Sequence, residues 1–203
     1  IPIGGFVVAL VLFVLLGRRL PLSFACYFMY CTLGYATHAV LDACTTYGTL
    51  LIWPLSDMRV AWNNISVIDP IFTIPIILLV LAGVLRRQPR MAGLALVWAV
   101  VYLSLGSVQR ERAMTAAWAL ADSRNHTPLK LEAKPSIGNI LLWKTIYQTD
   151  QHYHIDAVHS GMNIKIYPGE SIQKLNIARD FAWLDKQSQQ AEDIERFRWF
   201  SNG

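Results

Sequence analysis

The chain has 203 residues, 54% of them hydrophobic, with a mean hydropathy of +0.33 and a net charge of +4. Such a hydropathy is high for a soluble domain of average composition. The small positive charge is spread out, with no basic block or aromatic-basic interleaving, which argues against nucleic acid as a partner.

The charges divide unevenly along the chain. Residues 1–108 carry six Lys or Arg and three acids, and the rest carries twelve and eleven, as expected for a membrane part followed by a soluble part. The chain begins at Ile1 inside an apolar run without an initiating Met, so an upstream extension is expected. Cys26, Cys31 and Cys44 all fall in the apolar part at a spacing that suits neither a zinc knuckle nor a disulfide framework, and they read as small buried hydrophobes.

Taken in order, residues 1–17 are uncharged and end at Arg18-Arg19, the pattern of a membrane span with a positive flank. Residues 21–53 form one longer apolar stretch, with Gly34 and Gly48 as break points; residues 65–85 make a third span with Pro70 and Pro75 near its start, closed by Arg86, Arg87 and Arg90. Residues 91–108 make a fourth span, ending at Gln109-Arg110-Glu111-Arg112. The balance of Lys and Arg between alternate sides puts the first arginine groups in the cytoplasm and the C-terminal part outside it. Residues 110–124 have helical apolar spacing and suggest an amphipathic continuation of that span or an interfacial connecting helix. Four short strand-like runs follow, at 129–133, 139–147, 152–158 and 164–167, and then one or two helices from Asn176.

The expected architecture is therefore a polytopic α-helical bundle of about four spans over 1–108, a connecting helix over 109–126, and a small α+β domain over 127–203 with a short, mostly antiparallel sheet and C-terminal helices.

Within the apolar part, His38 and Asp42 stand four apart, which puts them on one helix face a turn apart. An imidazole and a carboxylate so placed can share a metal ion, or the carboxylate can orient the imidazole; the plainer alternative is a structural pair between helices. Asp69, before Pro70, is a second buried acid that either caps the following helix or joins the site. The hydroxyls of Thr45 and Tyr47 are candidates for contacting substrate, against the commoner habit of membrane threonines to bond their own backbone. Further on, His152 and His154 share a strand face and could begin a zinc site, but no third ligand is in view. Asp156, His159 and Ser160 lack the surroundings of a hydrolase triad.

Three blocks carry a family likeness: Thr37-His38-x-x-x-Asp42; Thr46-Tyr47-Gly48-Thr49-x-Leu51-x-Trp53-Pro54; and Ile68-Asp69-Pro70-Ile71-Phe72-Thr73-Ile74-Pro75. Together with Pro135-x-x-x-Asn139-x-Leu141-Leu142-Trp143 and Tyr153, they make the chain resemble the YdjM-like, LexA-binding family of inner-membrane, metal-dependent hydrolases. The resemblance implies a bacterial cytoplasmic-membrane hydrolase, with His38 and Asp42 at the positions of metal ligands and Asp69 at the Asp-Pro element. The family's upstream Asp-containing segment and its His-Arg-Gly-x-Ser/Thr-His-Ser-like segment have no counterpart in this sequence.

The reaction expected is attack of a metal-activated water on an ester or phosphoester, with Asp69 assisting and a lipid-like substrate drawn from the bilayer. An O/N ligand set suits zinc and also admits manganese or iron. The rival readings are a membrane adaptor that binds a protein partner through its C-terminal domain, and an ion or proton transporter using the same acids.

Overall fold

The computed structural model describes residues 1–185 and 187–201. Its first two helices are α1 (Pro2–Leu16) and α2 (Phe24–Cys44); the next two are α3 (Pro70–Leu85) and α4 (Pro89–Ser123). A sheet of four strands follows, β1 (Lys130–Pro135), β2 (Leu142–Gln148), β3 (His152–Ser160) and β4 (Ile164–Gln173), then α5 (Ile177–Asp180) and α6 (Gln189–Ser201).

The four-span bundle expected from hydropathy is not what these helices provide. Among the described residues only α4, with 35 residues, is both long and apolar enough to cross a membrane. A crossing takes about 20 residues at 1.5 Å each, and the apolar α1 and α3 have 15 and 16. The 21-residue α2 is long enough, but tyrosines, threonines, His38 and Asp42 dilute its apolar character. The long apolar runs in the sequence counted loop residues as helix: Ile65 to Ile68, read as the start of a span, are irregular chain before Asp69.

The helices pair as two antiparallel hairpins. In the first, Phe6 and Phe13 of α1 meet the edge of Phe24 on α2, and Phe13 also meets Tyr27. In the second, the short turn at 86–88 reverses the chain, and its register is set by Trp98 Nε1 donating to the Phe72 carbonyl (3.3 Å) and the Tyr102 hydroxyl donating to Asp69 Oδ2 (2.8 Å). The loop at 45–69 joins the hairpins by closing the C-terminal end of α2. Trp62 N donates to the Ala43 carbonyl, and Asn64 N and Ile65 N donate to the Cys44 carbonyl, partnering groups that a helix end leaves open. The same loop presses its Asn64 carbonyl onto α4 at Gly106, where a Cβ would collide with backbone. Of the three cysteines, all free, only Cys44 is fully buried.

The connecting helix expected after residue 109 is continuous with the fourth apolar segment. α4 runs on beyond Gln109 and carries the sheet, whose order is β1-β2-β3-β4 with every pair antiparallel. One face of α4, built from Gln109, Ala113, Ala116, Ala117 and Ala121, is buried against the sheet. Alanines at helical spacing let helix and sheet approach closely, so that Trp143, Val158, Leu131 and Tyr147 fill the interface. The first core cluster reaches from Trp143 through Ile140 to Phe72, Ile65 and Cys44, which ties the sheet to the ends of α2 and α3.

Candidate functional site

On α2, the four-residue spacing brings His38 Nδ1 to 3.2 Å from Asp42 Oδ2. The pair is open: the side chains are 77% and 48% exposed, although Ala43 and Cys44, just beyond, are buried. With Nδ1 turned to the carboxylate, Nε2 is the imidazole nitrogen left to meet a reactant or an ion. Thr45, which caps α2, donates both its N–H (3.0 Å) and its hydroxyl (2.8 Å) to the Asp42 carbonyl. Thr37 likewise bonds back, to the Gly34 carbonyl. Tyr47 is exposed in the following loop. There Gly48 takes a left-handed φ of 65° and allows Thr49 and Val60 to exchange both backbone hydrogen bonds at 2.9 Å.

Asp69 is engaged by α3 and α4. It is 2% exposed, and both its oxygens are engaged: Oδ1 accepts from Phe72 N at 3.1 Å as the N-cap of α3, and Oδ2 accepts from Tyr102. Among the described residues no three His, Cys, Asp or Glu side chains converge as a metal would require. His38 and Asp42 are thus brought together, and Asp69 instead locks α3 to α4. Tyr102→Phe deprives that buried carboxylate of a partner, and about 1–3 kcal/mol of stability should go with it. Chemical unfolding in detergent checks this, and an unchanged midpoint would mean that the bond contributes nothing.

A second polar cluster, which the sequence reading did not assemble, lies where α4 ends on the sheet. Asn125, with a φ of 56°, terminates the helix and folds Arg124 and His126 over the strands. Arg124 makes a two-pronged bond to Asp156, both contacts 2.9 Å, and donates to the Tyr147 hydroxyl at 3.0 Å. Asp156 is fully buried and also accepts from Gly169 N at 2.8 Å. Its carboxylate, with the Tyr147 hydroxyl, pushes the Arg124 guanidinium pKa further up, so that it is never without its proton.

His126 Nδ1 is 2.8 Å from that same hydroxyl, and the His154 ring stacks on Tyr147 with centroids 4.6 Å apart. Strand register makes this meeting, since Tyr147 faces His154 and Thr145 faces Asp156 across β2 and β3. His152 lies further off, 6.2 Å from His154 between ring centroids, and His159 falls on the opposite face of the strand from Asp156 and Ser160.

Burial, followed by the nearby His126, Arg124 and His152, holds His154 below its ordinary value, with Asp156 opposing. The fold therefore favours the neutral ring. The unfolded chain takes up the proton first as pH falls through the ordinary value near 6.5, so His154 contributes stability that is full above that point and is lost as pH falls through the lower, folded value. His154→Gln is expected to flatten the acid side of the stability profile. Melting curves taken between neutral and mildly acidic pH test it, and a slope identical to that of the unmodified chain would refute it.

The sequence profile described as YdjM inner membrane protein matches residues 2–113, which takes in both helical hairpins and the His38–Asp42 pair but not the sheet. No curated protein and no solved structure matches the chain. With more than half its length covered by that profile, the chain belongs to the YdjM inner membrane protein family.

Proposed function

We propose that this membrane protein is a hydrolase whose reacting group is the His38–Asp42 dyad, and that α4 crosses the bilayer. The observation that carries the proposal is the openness of the pair. The two groups sit 3.2 Å apart with both side chains accessible, so the imidazole can meet a reactant while it is held by the carboxylate. In that arrangement Asp42 orients the imidazole, while Nε2 withdraws a proton from a water attacking an ester or phosphoester. The hydroxyl of Tyr47, exposed in the loop after α2, is assigned to contact substrate. Thr45 has its hydroxyl committed to the end of α2 and shapes the site instead, and Asp69 fixes the start of α3 beside the loop that closes α2.

The family resemblance implies a divalent ion, with zinc, manganese and iron all compatible with nitrogen and oxygen donors. His38 and Asp42 supply one of each, which is half of the usual set of four, and no third donor stands with them among the described residues. The described residues therefore do not complete such a site, and the proton step above is assigned to the dyad alone. An amphiphilic substrate suits the surroundings, since Tyr35, Val40 and Leu41 beside the pair expose apolar surface. The three arginines at the start of α4, against two just beyond its apolar segment, favour a C-terminal part outside the cytoplasm.

The full chain in nanodiscs, assayed on a chromogenic short-chain ester and a phosphodiester with and without added zinc or manganese, tests the reading. Turnover that depends on His38 supports it, and no turnover under any of these conditions overturns it.

A further inference from the structure

We infer that the end of the sheet nearest the apolar part of α4 is a lipid-docking surface, seated in the anionic headgroup layer of the same membrane that α4 enters. The inference rests on the proposed crossing by α4. Three loops are fixed at one level of that helix. The loop before α3 presses its Asn64 carbonyl on Gly106. The β3–β4 turn is held by Gln109 Nε2, which donates to the Ser160 carbonyl at 2.7 Å, and by Arg112 Nη2, which donates to the Gly161 carbonyl at 2.7 Å. The β1–β2 loop is tied to the first of these, Gly138 N donating to the Ile68 carbonyl at 2.9 Å. Between Gly106 and Arg112 a helix rises about 9 Å, comparable with the headgroup layer on one side of a bilayer.

At that level the apolar segment of α4 gives way to charge at Gln109-Arg110-Glu111-Arg112. The loop tips there are apolar where a tip in water would be polar. Met162 is 100% exposed, Ile137 is 78% exposed, and Ile68 and Ile164 are exposed beside them. A shallow depression between α4 and the start of β4 is lined by Val108 and Ile164 together with Ser107, Glu111, Arg112 and Thr115. Just behind these tips, Lys134 of β1 stands directly opposite Lys144 of β2, and Lys165 lies at the start of β4. Like charges placed opposite each other cost energy in a sheet; Glu132, 3.5 Å from the Lys134 ammonium, offsets part of that cost, and an anionic headgroup beside Lys144 and Lys165 offsets more. Apolar tips below and lysines above match the layering of an anionic interface, and the surface is continuous with the span itself.

Spin labels on the full chain, with Cys26, Cys31 and Cys44 replaced by Ala, test the assignment in vesicles of phosphatidylcholine and phosphatidylglycerol. Labels are placed singly at Met162→Cys, at Val100→Cys within the span, and at Asn125→Cys at the far end of α4. The expected result is that the label at 162 collides with oxygen and is shielded from a water-soluble nickel chelate, as at 100, while the label at 125 is open to the chelate. If 100 is shielded but 162 is as open as 125, the docking surface is overturned and the span stands; if 100 is itself open to the chelate, the crossing by α4 fails, and the docking surface with it. Lys144→Gln and Lys165→Gln should each lower the docked-to-undocked ratio at 162 by about fivefold with phosphatidylglycerol present. No change on removing the lysines overturns the role given to the anionic headgroups.

Discussion

Asp156→Ala is expected to lower the unfolding free energy of the sheet-bearing part by about 3 kcal/mol, and Arg124→Met by nearer 5 kcal/mol, the span seen when one partner of a buried ion pair is removed. The difference follows from which charge is left behind. Arg124 keeps 26% of its side chain exposed against 1% for Asp156. Without Asp156, the guanidinium still reaches water and the Tyr147 hydroxyl. Without Arg124, a carboxylate remains inside the interface with the Gly169 N–H still donating to it, and its desolvation goes largely uncompensated.

The pair also joins the end of α4 to β3, and through Gly169 to β4, so its loss should loosen the strands together and not one by one. Hydrogen exchange across β2, β3 and β4, with chemical unfolding in detergent, measures both effects. The double variant Arg124→Met with Asp156→Leu leaves no orphaned charge and should recover most of the loss. Equal costs for the two single variants, or a cost below about 1 kcal/mol for either, the range of surface pairs, would show that the clamp behaves as an exposed ion pair.

That clamp was hidden in the sequence for a definite reason. Arg124 and Asp156 are 32 positions apart, and only the exit of the chain from α4 at Asn125 and the register of β2 on β3 bring them together. Strand alternation was legible, and it places His152, His154 and Asp156 on one face; that Tyr147 and His126 share that face depends on a register which a single sequence does not specify. The His38–Asp42 contact was legible because it needs only the pitch of one helix. Asp69 could be read as a capping residue from its place before Pro70, but its second partner, Tyr102, belongs to another helix.

The count of spans failed for a different reason. Hydropathy scores a run of apolar residues without seeing where helical hydrogen bonding stops, and the apolar residues at 46–53 and 65–68 belong to the loop that closes the end of α2 and reaches the start of α3. Helical spacing at 110–124 suited either a continuation of the span or a separate interfacial helix, and the unbroken α4 realises the first.

His38→Ala should reduce hydrolysis by about 10²–10⁴-fold, the usual contribution of a general base, while Asp42→Asn should reduce it by about 10–100-fold, the range for a group that orients the reacting residue. The order of the two effects matters more than their size. If Asp42 acts by holding the imidazole in place, its loss leaves a poorly oriented but surviving base, so His38→Ala must be the more damaging change, and adding the Asp42 substitution to it should do little more. If the two instead act as equal donors to an ion, each single variant should cost a similar factor, and added zinc or manganese should partly restore the activity of both.

Stability supplies the control. The pair is exposed, and exposed pairs contribute about 0–1 kcal/mol, so neither substitution should shift the melting temperature appreciably. A large shift with no change in turnover would return His38 and Asp42 to a structural role, whereas loss of turnover without a shift is the outcome expected of a reacting dyad on a helix that folds without it.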